Sequence, residues 1–401
     1  MKQITFAVAM FASAAYAAVP VIDQSSISAR QDGGKTVVIG YTMNPASSGD
    51  TELAIVTVDV QTNYVENAET KWASIGGEHL TTLSGDVNKI VAHTQDYKHC
   101  ILWNPTEEGL PEMRIDPENV RVEITAWATN APPAYWVIDL THPADRMADR
   151  YYPNAGQIPG TVTNDLYKTD RLVFRRIPAK GVTWKMSNHY VTLSYDYYMA
   201  VFETTGAQHS RMTGSSSTNK KPFVQRWYNF RGWSTWPESG HALPSGSDAG
   251  AASKKDLAAY RNNLGGIQVD MPTEAEWRFA CAAGTSTAYN NGTSDAAGLA
   301  KVGWYSGNSG SALHEVGLKD PNNWGLYDMH GNAFEWCLDW NSTAATTPVW
   351  DPVGAASGTG KYRLGGYYGN DAAACSTWIG NHQVVNENTD RVTVRLAVVI
   401  P

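Results

Sequence analysis

Asp328 and Glu335 bracket the peptide 329–334 inside the string WGLYDMHGNAFEW, residues 324–336. The string mixes large aromatics, two glycines and alternating polar groups, and it follows neither a helical nor a strand period. It reads as an irregular, tightly folded loop in which backbone carbonyls and carboxylates converge. Calcium takes six to eight hard oxygen ligands, and carboxylates plus carbonyls from a short glycine-containing loop provide them. The plainer reading is that Glu335 accepts loop amides and Asp328 caps a turn without any metal. In both readings the chemistry serves to stiffen the loop.

A second group of residues suits binding rather than turnover. Tyr367, Tyr368 and Asn370, then Trp378, then Asn381 and His382 combine rigid aromatic area with adaptable hydrogen-bonding groups, as binding loops do. A surface loop with no ligand is the alternative. Other catalytic schemes find little support. The ten histidines form no HExxH and no closely spaced triad, and there is no GxSxG. The glycine pairs at 33–34, 76–77 and 265–266 lack the strand–loop–helix setting of a phosphate loop. Four cysteines, Cys100, Cys281, Cys337 and Cys375, are too few for a disulfide framework in a chain of 401 residues. Cys281 lies on a predicted helix face beside Trp277 and reads as a buried thiol.

The elements that must hold these residues fall into two predicted domains, as the length allows. Residues 1–17 read as an export signal: Lys2 gives the positive start, residues 4–12 the apolar stretch, and Ala15-Tyr16-Ala17 the cleavage site. That stretch is too short to span a bilayer, no later one is long enough, and the expectation is a secreted or periplasmic bacterial protein. A net charge of −8 with 17% charged residues gives no reason to expect nucleic acid or an anionic membrane as partner. Residues 19–128 carry β-branched runs at 37–42 and 53–60 and strict alternation at 120–126, which predicts an all-β sandwich of the immunoglobulin or fibronectin type. The double proline Pro132-Pro133 marks a linker over 129–137, followed by a domain over 138–401. In that domain residues 172–174 and 198–205 read as strands. Residues 254–264 read as a helix stopped by Gly265-Gly266. A second helix starts at a capping box, with Thr273 as N-cap and Glu276 three residues later. Beyond it the chain is loop-dominated.

Four blocks together resemble the formylglycine-generating enzyme, or sulfatase-modifying factor, family. They are WGLYDMHGNAFEW with the following CLDW, MPTEAEWRFA at 271–280, YRLGGYY at 362–368, and the weaker YMAVFETT at 198–205. The resemblance implies an α+β fold, the family's variant of the C-type lectin fold, in the C-terminal domain. It also implies a calcium site at Asp328, Gly331, Ala333 and Glu335. The family's other calcium site does not transfer, since residues 302–304 and 309–313 offer no carboxylate pair. Family oxidases hold Cu(I) between two cysteines and oxidise a cysteine in a Cys-x-Pro-x-Arg sulfatase peptide with O₂. Counting from Gly366 puts Asn370 at the first of those positions and Cys375 at the second. An amide cannot replace a thiolate for monovalent copper, so copper is not expected and Cys375 is the one remaining catalytic candidate. A Cys337–Cys375 bridge is a further option, since both lie in family blocks. The expectation is an exported ligand-binding or adhesion protein whose partner is a protein or glycan. The alternatives are an oxidase with an atypical site and a structural envelope protein.

Overall fold

The computed structural model describes residues 20–400 except 33–34, 46–51, 94–96, 111–117, 143–148, 187, 233–235, 237–254, 342–346 and 386–389. The export signal lies outside the described residues. The chain divides into two compact units, Met1–Pro132 and Pro133–Pro401.

The first unit is built almost wholly from antiparallel strands. The long strand Glu52–Glu66 pairs with Val120–Ala128, Glu69–Ser74 and Lys89–His93. A second sheet orders Ser28–Asp32, Thr36–Tyr41, His99–Trp103 and Ser84–Gly85. Alternation does the work: in Thr36–Tyr41 every second side chain is buried. Val37, Ile39, Val56, Val58, Ile101, Trp103 and Ile124 from both sheets share one core. The Trp103 indole N–H, which needs a partner once buried, donates to the carbonyl of His79 at 2.9 Å.

The second unit mixes sheet and short helices, an α+β arrangement. Its main sheet is antiparallel, in the order Arg150–Tyr152, Tyr135–Asp139, Arg171–Ile177, Tyr197–Ala200 and Ala397–Val399. A smaller sheet orders Asn381–Gln383, Lys361–Leu364, Phe334–Trp340 and Val392–Thr393, the last pair parallel. Trp136, Phe174, Tyr198, Trp227, Tyr260, Trp336 and Leu396 form a core that includes residues of both sheets and of the helices.

Two expectations change here. The linker of 129–137 is too long, because Tyr135–Asp139 is a strand paired along its length with Arg171–Ile177. Its apolar residues are buried on both faces, so it shows no alternation to read. The strand expected over 198–205 is Tyr197–Ala200, and Thr205 begins a helix instead. Thr205 accepts from the Gln208 N–H, and Gln208 returns a bond to the Thr205 N–H, a capping box that opens Gly206–Thr213. The other capping box forms as expected: Thr273 Oγ1 accepts from Glu276 N at 3.2 Å, Glu276 Oε2 accepts from Thr273 N at 2.7 Å, and the helix is Glu274–Ala282.

Candidate functional site

The loop 328–335 is irregular because three of its residues sit in the left-handed region: Asp328 at φ 57°, Gly331 at φ 77° and Asn332 at φ 58°. Only glycine fits at 331, where a Cβ would lie 1.9 Å from the Trp304 carbonyl oxygen. Backbone bonds pin the loop: Gly331 N donates to Gly365 O at 2.7 Å and Asn332 N to Trp304 O at 2.8 Å.

Behind the loop lies a buried charge network. The Arg395 guanidinium meets Glu335 in a two-point pair, with Nη2 to Oε1 at 2.6 Å and Nε to Oε2 at 2.8 Å. It also donates to the carbonyls of Ala200, Val201 and Tyr327. The Trp277 indole donates to Glu335 Oε2 at 2.6 Å. Glu203 holds the other side of the loop, accepting from Asn332 Nδ2 at 2.8 Å and from Ala333 N at 3.1 Å. Asp328 Oδ2 accepts from Gly317 N at 2.6 Å, while Oδ1 is buried with no partner. Three buried carboxyls thus lie within reach of the Arg395 charge, and Glu335 alone contacts the guanidinium. Burial, reinforced by Asp328 and Glu335, pushes the Glu203 carboxyl well up, and burial pushes Asp328 up to about 6.

Of the four positions implied for calcium, Asp328 and Glu335 carry side-chain oxygens, whereas Gly331 and Ala333 can offer backbone carbonyls only. Asp328 has an oxygen to give, but both oxygens of Glu335 are committed to Arg395 and Trp277. Among the described residues no group of three or more His, Cys, Asp or Glu side chains is placed to hold a metal. The cation that Glu335 meets in this structure is Arg395.

The second group of residues separates in space. Asn370 Oδ1 accepts from Tyr367 N at 3.1 Å, Asn370 N donates to Tyr367 O at 2.9 Å, and Asn370 O accepts from Ser306 N. Asn370 is therefore a turn-former that locks its own loop. Tyr368 N donates to Asn332 O, which ties this turn to the 328–335 loop, and Arg391 Nη1 donates to the Tyr367 hydroxyl. Trp378 stands apart, its indole bonded to Thr287 O, on the walls of two cavities of about 850 and 590 Å³. Tyr367, Tyr368 and Asn370 line neither cavity. Asn381 and His382 are exposed on the strand Asn381–Gln383.

All four cysteines are free, so Cys337 and Cys375 are not bridged. Cys375 is fully buried, packed so tightly against Gly366 that a Cβ there would lie 2.7 Å from its sulfur. Burial pushes both the Cys375 and the Cys281 thiols up to about 12. Cys281 Sγ lies 3.8 Å from His330 Nε2, but that nitrogen already accepts from Asn290 N, and Nδ1 faces the Cys375 carbonyl at 2.8 Å. His330 is a neutral structural imidazole, held by burial down to about 4.

Sequence reasoning missed Glu203 and Arg395. A signal existed for Arg395, the single charge in the run 392–400, VTVRLAVVI. For Glu203 the signal was a lone acid among the apolar residues of 198–205.

Residues 159–400 match the model of the sulfatase-modifying factor enzyme 1-like domain. A formylglycine-generating enzyme of Thermomonospora curvata is 26% identical over 163 residues, which cover 39% of this chain and 48% of that protein. The chain spans about half or less of the length of the curated relatives it matches. Among solved structures, Treponema denticola variable protein 1 is 24% identical with a TM-score of 0.47, covering 58% of this chain and 96% of that one. PvdO from Pseudomonas aeruginosa is 17% identical with a TM-score of 0.45, covering 60% and 98%. The family model covers more than half of the chain, and with it the loop, the helix Glu274–Ala282 and the buried pair Glu335–Arg395; this chain belongs to the sulfatase-modifying factor family.

Proposed function

We propose that this chain is an exported ligand-binding or adhesion protein on the sulfatase-modifying factor fold, preceded by an immunoglobulin- or fibronectin-like sandwich, and not a copper oxidase. The observation that carries this reading is the pair of positions where family oxidases keep their copper thiolates. Asn370 holds a hard amide bonded into its own turn, which leaves Cys375 as a single buried thiol. Soft monovalent copper has no two-thiolate seat there. What the frame offers instead is a rigid scaffold: loops locked by Glu203, Arg395 and Gly331, with Trp378, Asn381 and His382 at or near the surface. Such a scaffold suits recognition of a protein or glycan, because pre-organised loops lose little entropy on binding.

Turnover tests it directly. Mature protein is incubated with Cu(I), O₂ and a Cys-x-Pro-x-Arg peptide beside a two-cysteine enzyme, and peptide mass is followed. The expected result is no conversion while the control is active. Conversion that disappears in Cys375→Ala would establish an oxidase with an unusual ligand set.

A further inference from the structure

We propose that the cavity of about 850 Å³ beside Trp378 binds an organic cation, a primary amine or guanidinium, between the indoles of Trp350 and Trp378 and the carboxylates of Asp339 and Asp351. This rests on the binding reading above and adds its site and ligand class.

Charge complementarity carries the inference. Three carboxylates, Glu274, Asp339 and Asp351, line the cavity together with the single arginine Arg278. Arg278 is paired with one of the three: its Nε meets Glu274 Oε1 at 2.8 Å, and its Nη1 donates to the Thr377 carbonyl. Asp339 and Asp351 each accept one backbone amide, from Glu274 and Ser194, both at 2.7 Å. Neither makes an ion pair among the described residues. Lys361, whose charge lowers the Asp339 carboxyl, is turned to the Leu338 carbonyl and lies over the Trp340 ring. The carboxyl of Asp339 is consequently pushed up to about 8, by burial first and then by Glu274. At neutral pH Asp339 therefore holds its proton, and a cation arriving beside it favours the charged form and drives that proton off to solvent, while Asp351 supplies the standing negative charge.

The aromatic lining has the matching chemistry. Trp350 is 65% exposed at the cavity, an unusual placement for an indole, and Tyr362 and Trp378 complete the wall. Indole faces attract ammonium and guanidinium groups through the ring quadrupole. Asp351, next to Trp350, is held at φ 44°, a backbone conformation that a non-glycine residue adopts at some cost, and the Ser194 amide orients its carboxylate. The volume lies in the range of small-molecule sites.

The test is calorimetric titration of the full mature chain with agmatine, standing for a free cation, and with N-acetyl-arginine amide, standing for a basic side chain. N-acetyl-norleucine amide and a neutral N-acetylglucosamine trimer serve as uncharged comparisons. Saturable binding of either cationic probe, at least roughly tenfold tighter than both neutral ones and weakened by salt, is expected. Trp350→Ala and Asp351→Asn should each weaken it by about tenfold. Trp350 is exposed, and asparagine keeps the acceptor for the Ser194 amide, so both variants retain the fold; circular dichroism checks this. Equal binding of the neutral probes, glycan binding alone, or no saturation by either cation overturns the proposal. Glycan binding alone would leave the ligand-binding reading intact, whereas peptide oxidation would remove that reading and leave the cation result standing.

Discussion

Arg395 and Glu335 carry the largest single-residue consequence. Both are fully buried, and every hydrogen-bonding nitrogen of the guanidinium has a partner. Removing one member of such a pair strands the other charge without water. Arg395→Met should therefore cost about 3–5 kcal/mol in urea unfolding, and a loss below about 1 kcal/mol would refute the role given to it. Asp339 gives a pH prediction of a different sign from a paired carboxylate. Its folded value, about 8, lies above its ordinary value of 3.8, so between those pH values the folded chain holds a proton that the unfolded chain has released. Stability then falls as pH rises through this window. The buried histidines His209 and His330, both held down to about 4, oppose this only below their ordinary value of 6.5. The decline should thus emerge between about pH 6.5 and 8.5, and Asp339→Asn should flatten it in melts at matched ionic strength.

Single elements show what a sequence can disclose. The helix Glu274–Ala282 was legible because its start is local chemistry: Thr273 and Glu276 are three residues apart and satisfy each other's backbone. Thr273→Ala should cost about 1 kcal/mol, read from the denaturation midpoint at unchanged slope. The irregularity of residues 328–335 was legible too, through its lack of period. Its purpose was not, because the groups that hold it come from far away. Glu203 reaches Ala333 across 130 positions, and Arg395 reaches Glu335 across 60. No local pattern encodes those distances, so the sequence did not disclose the guanidinium that pairs with Glu335 or the backbone amide that bonds Asp328. The strand Tyr135–Asp139 escaped for a related reason, since burial on both faces erases the alternation that marks strands. At Gly331 a methyl group would meet the Trp304 carbonyl at 1.9 Å in a left-handed backbone. Gly331→Ala should lower stability by about 3 kcal/mol or more, whereas at Gly310, φ 61° with no atom near the added methyl, only the backbone strain of about 1 kcal/mol should remain.

At the scale of the whole chain, two units with separate cores should melt as two transitions in calorimetry, one for residues 1–132 and one for residues 133–401. This separation makes the metal question decidable without knowing any ligand. A calcium ion bound only by the folded second unit would stabilise that unit by about 2.7 kcal/mol when free calcium is 100 times its Kd, and a chelator would remove that increment. Here the charge that a divalent ion would supply to Glu335 is already supplied by Arg395. A chelator should therefore leave both transitions where they are, and Arg395→Met should move only the one belonging to the second unit. A chelator-sensitive second transition would mean that Asp328, whose Oδ1 is otherwise without a partner, recruits an ion after all through the backbone of its loop. In that case Asp328→Asn should abolish the sensitivity while Arg395→Met does not.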